Sequence, residues 1–116
     1  MNASIAASKG SEALSIYSAS KAAIRSFART WTVDLKHRKI RVNAISPGPI
    51  DTPGIDGLAR NDEQAGQLKK SLITAVPMGR MGSPDEVAKA VLFLASNDSS
   101  FVTGVELFVD GGMAQI

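Results

Sequence analysis

Three side chains of this 116-residue sequence, Ser4, Tyr17 and Lys21, have types and spacing suited to proton chemistry. Tyr17 and Lys21 stand four residues apart, which on a helix sets a phenol and an ammonium on the same face. A free phenol titrates near pH ~10, and a positive charge beside it favours the phenolate, so such a pair can pass a proton to or from an oxygen atom. The Ser4 hydroxyl can orient a carbonyl or an alcohol. If a nicotinamide cofactor moved a hydride, the tyrosine could move the matching proton. The same spacing equally describes a half-buried phenol beside a lysine whose stem reaches for solvent. Spacing alone leaves both readings open.

Composition removes other chemistries. With no cysteine and the single histidine His37, the chain has no disulfide, thiolate nucleophile or sulfur-ligated metal site, and no imidazole cluster, so no metal centre is expected. Thirteen Lys and Arg against eleven Asp and Glu leave a net charge of +2, too small to suggest nucleic acid. One Trp, one Tyr and four Phe make a poor base-stacking platform. The basic group Lys36, His37, Arg38, Lys39 and Arg41 fits a solvated junction between a helix and a strand. At 44% hydrophobic and 21% charged, the sequence suits one folded domain. It has neither an uninterrupted apolar run of roughly 18 residues nor a basic, apolar leader, so a soluble cytoplasmic protein without membrane contact is expected.

The elements that must hold the three side chains follow from periodicity. From Leu14 to Lys36, Tyr17, Ile24, Phe27, Trp31 and Leu35 recur at helical spacing, predicting a long helix that buries them as one stripe. Ile40 to Ile45 alternates as a short strand. Ser46 to Gly54, with three prolines and two glycines, reads as a shaped loop just after that strand, where α/β proteins bind ligands. Residues 57–75 suit short helices or a mobile cover. Ser83, Pro84 and Glu86 announce a helix running to about Ser96, and Val105 to Val109 predicts a last strand ended by Asp110, Gly111 and Gly112. The order favours a parallel α/β arrangement with right-handed crossovers.

The runs YSASKAA, IRVNAISPGPIDTP and GVELFVDGG together resemble the C-terminal part of the short-chain dehydrogenase/reductase family, over almost the whole chain. The resemblance implies the C-terminal part of a Rossmann-like parallel sheet with flanking helices. It carries Tyr17 onto the catalytic tyrosine, Lys21 onto its activating lysine, which also bonds the nicotinamide ribose, and Ser4 onto the substrate-orienting serine. Pro47, Gly48, Ile50 and Thr52 map onto the loop at the nicotinamide end of NAD or NADP. Residues 57–75 map onto the substrate cover, where Leu58, Leu68 and Leu72 either shape specificity or pack short helices. At Lys39 related chains often have glycine; if the position needs positive φ, lysine adds strain.

The resemblance also marks what residues 1–116 do not contain. They hold no Gly-x-x-x-Gly-x-Gly phosphate loop, no acidic selector for the adenine ribose, no Asn-Ala-Gly segment and no upstream catalytic asparagine. The expectation is a partial catalytic domain lacking the dinucleotide-binding half, which alone performs no oxidoreduction of its small alcohol or carbonyl substrate. An isolated segment of this kind is expected to fold weakly, aggregate, or be held by a homo-oligomer or by a partner supplying the missing half. The alternative is a noncatalytic oligomerising or structural remnant.

Overall fold

The computed structural model describes residues 1–115. Its centre is a small parallel sheet. Strand β1, Ala44–Pro47, pairs in parallel with β2, Glu106–Val109, in the register Ala44 to Glu106 through Pro47 to Val109. On its other side β1 meets a bridge from Asn2 to Ile45, closed by Ala3 N donating to Ile45 O (2.8 Å) and Ile45 N donating to Met1 O (2.9 Å). The α/β expectation holds: β1 lies between Met1–Ala3 and β2, with helices against the sheet.

Strand β1 begins later than the alternation of Ile40, Val42 and Ala44 suggests, and it runs through Pro47. Side chains displace the ladder over residues 41–43. The Asn43 amide donates to Val102 O and accepts from Val105 N, Thr103 Oγ1 accepts from Val42 N, and the Arg41 guanidinium donates to Ser96 O, Ser99 Oγ and Val102 O. Pro47 is tolerated because the amides of Ala44 and Gly48 face β2, bonding Val105 O and Val109 O. By strand alternation, the position at Pro47 that lacks an N–H points away from β2.

Helix α1, Ser15–Asp34, is the predicted long helix, continuing past Leu35 into a tight turn at Lys36–Arg38. Ala28 is its one buried residue. It enters a core of Ala3, Val42 and Ala44, flanked by Ile24 and Leu35. Phe27 and Trp31 depart from the expected buried stripe: their rings stack on each other, 5.2 Å between centroids, on the exposed flank. At about 100° per residue, Phe27 lies a quarter-turn from Ala28, beyond the reach of a sheet this narrow.

After β1 the chain forms α2, Pro53–Asp56, and α3, Asp62–Ala75, so the 57–75 segment is largely one helix. Asn61 caps α3 by accepting from Gln64 N at 2.9 Å. Leu68 and Leu72 are half-buried, whereas Leu58 is exposed. Helix α4, Pro84–Ala95, opens with the complete capping box read from Ser83 and Glu86. It joins β1 to the parallel β2 and packs against both.

Candidate functional site

Ser4 closes the Met1–Ala3 segment and caps the short turn Ile5–Ala7, its Oγ accepting from Ala6 N at 3.2 Å. That bond uses an acceptor lone pair and leaves the hydroxyl proton to donate elsewhere. Tyr17 sits in the first turn of α1 and is 45% exposed. The Lys21 ammonium lies 5.6 Å from the centre of the Tyr17 ring and donates to Asn2 O at 3.1 Å. One of its three protons is so engaged. The ammonium thus joins the tyrosine to the strand segment that leads directly into Ser4. Asn2 escaped sequence reasoning because its part is played by a backbone carbonyl.

Asn2 also borders an open groove of about 480 Å³ lined by Pro47, Ile50 and Thr52 from the loop and by Val87 and Val91 from α4. Asn2 therefore links Lys21 to a groove that holds three of the four predicted loop residues, whereas Ser4, Tyr17 and Lys21 are not themselves part of its lining. Gly48 stands apart from the groove lining. A Cβ there would sit 2.7 Å from the Asp110 Cα, so its glycine is required by the close approach of the loop to the end of β2.

Backbone bonds fix the loop to the start of α4: Gly82 N donates to Pro49 O at 3.0 Å and Asp51 N donates to Gly82 O at 2.8 Å. A Cβ at Gly82 would meet Ile50 Cδ1 at 2.7 Å. Arg80 grips Glu86 at 2.6 and 2.9 Å, and Ser83 N donates to the same carboxylate at 2.8 Å. The Arg80 guanidinium, with the Ser83 amide, holds the Glu86 carboxyl down to about 2. On the other side Lys69 of α3 reaches Asp56 at 2.9 Å and Asp51 at 3.0 Å, and hydrogen bonding to those carboxylates, Asp56 foremost, raises its pKa. Lys69 ties α3 to the loop, a long-range pairing that no local spacing announces.

These residues fit the nicotinamide end of a dinucleotide. Lys21 has donors to spare for a ribose, and Pro47, Ile50 and Thr52 offer a largely apolar wall for a flat ring. No glycine-rich phosphate loop is present among the 116 residues to receive the pyrophosphate. Among the described residues, no cluster of three or more His, Asp or Glu could hold a metal ion, and no helix is long and apolar enough to cross a membrane.

Residues 1–114 match the family model described as enoyl-(acyl carrier protein) reductase. Over 111 residues the chain is 46% identical to the 3-oxoacyl-(acyl-carrier-protein) reductase FabG of Chlamydia muridarum, covering 96% of this chain and 42% of the reductase. A solved short chain dehydrogenase family protein from Francisella tularensis superposes with a TM-score of 0.89 at 31% identity, over 99% of this chain and 50% of that one. This chain belongs to the short-chain dehydrogenase/reductase family. A ligand-free aldohexose dehydrogenase from Thermoplasma acidophilum, also solved, gives a TM-score of 0.90 at 33% identity, over 99% of this chain and 47% of its own. The chain thus spans half or less of the dehydrogenase/reductases it matches, and its parallel sheet corresponds to part of their Rossmann-like fold.

Proposed function

We propose that Ser4, Tyr17 and Lys21 are the proton-transfer side of an NAD(P)-linked oxidoreductase acting on an alcohol and carbonyl pair. The observation that carries this reading is the Lys21 ammonium close to the Tyr17 ring and bonded to the carbonyl of Asn2, a residue that borders the groove lined by Pro47, Ile50 and Thr52. A bound dinucleotide would supply or accept the hydride. In reduction Tyr17 gives its phenolic proton to the carbonyl oxygen; in oxidation the phenolate takes the alcohol proton. The remaining Lys21 donors hold the ribose, while the Ser4 hydroxyl donates to the reacting oxygen and fixes its direction. Pro47, Ile50 and Thr52 would seat the nicotinamide, with Gly48 shaping the loop behind them. Leu68 and Leu72 on α3 would shape the substrate side, as the family resemblance implies.

In this reading the receptor for the phosphates and adenine lies on polypeptide other than these 116 residues, and residues 1–116 act as a partial catalytic domain. The names of the relatives, a 3-oxoacyl reductase and an aldohexose dehydrogenase, support the interconversion of a carbonyl and an alcohol as the reaction type. A second reading, a noncatalytic oligomerising module, is favoured by the exposed Phe27 and Trp31 stack together with Ile16 and Phe101.

The test combines the purified chain with a polypeptide carrying a glycine-rich nucleotide-binding half and follows NADH- or NADPH-dependent carbonyl reduction. The chain alone is expected to show no turnover and the mixture to show it, with Tyr17→Phe lowering kcat by about 10²- to 10⁴-fold. Turnover indifferent to Tyr17→Phe overturns the catalytic reading. A homo-oligomer that gains no activity from the added half favours the second reading.

A further inference from the structure

Arg25 continues the face of α1 that carries Tyr17 and Lys21, each four residues from the next. Its guanidinium Nε pairs with Glu106 Oε2 at the start of β2, and the Glu106 side chain is only 6% exposed. Ser46 of β1 donates its hydroxyl to Glu106 Oε1 at 2.7 Å. Ser8, four residues after Ser4, lies 3.4 and 3.5 Å from the two carboxylate oxygens, and Arg25 Nη1 reaches Ser8 Oγ at 3.4 Å. The segment leading from Ser4, the helix bearing Tyr17 and Lys21, and both sheet strands therefore meet at one carboxylate.

Such a junction controls geometry. A helix packed on a narrow core of small residues, as α1 is on Ala3, Val42 and Ala44, can roll about its axis with little change in buried area. A directed guanidinium on a nearly buried carboxylate opposes that roll, because turning away leaves the charge without its partner in a poorly hydrated place. The same carboxylate holds Ser8, which limits how far the Ser4 segment can drift from α1.

We propose that Glu106, through Arg25 and Ser8, is a positioning residue that sets the Ser4 hydroxyl against the Tyr17 and Lys21 face. It touches none of the reacting atoms. Its catalytic consequence rests on the proton-transfer reading above, whereas its effect on Tyr17 can be observed without turnover.

Tyr17 is the only tyrosine in the chain, so the ¹³C-tyrosine-labelled chain, combined with an unlabelled nucleotide-binding half, yields one ring signal that reports its surroundings. Glu106→Gln and Arg25→Gln are each expected to shift or split that signal. Ser83→Ala, which weakens the cap of α4, is the control for general loss of stability and is expected to leave it in place. In the complemented enzyme both clamp variants are expected to lower kcat about tenfold or more with the dinucleotide KM within twofold, since a misplacement of about 1 Å can cost as much as 10²-fold. If a glutamine variant fails to fold, Arg25→Lys keeps the charge with a less directed head and is read by the same signal. An unmoved Tyr17 signal in the clamp variants, or an equal shift in Ser83→Ala, overturns the proposal. A moved signal alongside turnover indifferent to Tyr17→Phe overturns the proton-transfer reading and leaves the clamp on Tyr17 standing.

Discussion

Lys39 follows the turn at the end of α1 with φ 54° and ψ 35°, a left-handed conformation that crowds its Cβ against the backbone. Glycine adopts that conformation without the crowding, at the cost of more freedom to lose from the unfolded chain. Lys39→Gly is therefore expected to stabilise the protein by about 0.5–1 kcal/mol, read as a higher denaturation midpoint with an unchanged slope. A lower midpoint would show that the lysine makes a compensating contact. This strain was legible in the sequence from the family pattern at that one position. That Tyr17 and Lys21 share one face of α1 was legible from their spacing, while the role proposed for them came from the family pattern. The part of Asn2 was hidden, because a carbonyl that anchors an ammonium has no side-chain signature.

At the scale of elements, the start of α4 depends on an ionised carboxylate. Glu86 closes the capping box onto Ser83 N and is gripped by Arg80, which together lower its carboxyl from 4.5 to about 2. A group whose folded pKa is depressed contributes stability that is present above its unfolded value and lost as pH falls through the folded one. The first-turn amides of α4 are accordingly expected to lose hydrogen-exchange protection progressively between pH 4.5 and about 2, relative to those of α1. Glu86→Gln should remove that pH dependence while leaving the Ser83 half of the cap. Equal loss of protection in α1 over that range would assign the effect to global acid unfolding. The helix start itself was readable because Ser83, Pro84 and Glu86 act within one turn. The start of β1 was not, because Asn43 and Arg41 replace ladder bonds with contacts to residues 96–105, some sixty positions away.

For the whole molecule, surface outweighs core. The chain exposes 7612 Å², whereas a closed monomer of 12.2 kDa would expose about 6,100 Å². Its radius of gyration is 15.5 Å, against about 13 Å for a compact domain of this length. The buried apolar residues are Ala3, Ala6, Ala28, Val42, Ala44, Ile45 and Val76, most of them small, while Ile16, Leu92 and Phe101 lie in solvent. Exposed apolar surface on this scale favours association. The chain by itself is expected to bind a hydrophobic dye and to unfold over a broad, weakly cooperative transition, and addition of a nucleotide-binding half should suppress the dye signal. A sharp monomeric transition with equal calorimetric and van't Hoff enthalpies would contradict this.

The sequence by itself determined the long helix α1, the start of α4, the family pattern and the placement of Tyr17 and Lys21 on one helix, because caps, periodicity and four-residue spacing are local properties of a chain. Only the tertiary structure decided the boundaries of β1, the exposed placement of Phe27 and Trp31, and the meeting of Arg25, Ser8 and Ser46 on Glu106. Those depend on which distant groups satisfy one another once the parallel strands are in register. Pairings across sixty or more residues are chosen by the competition for burial and hydrogen bonds in the folded chain.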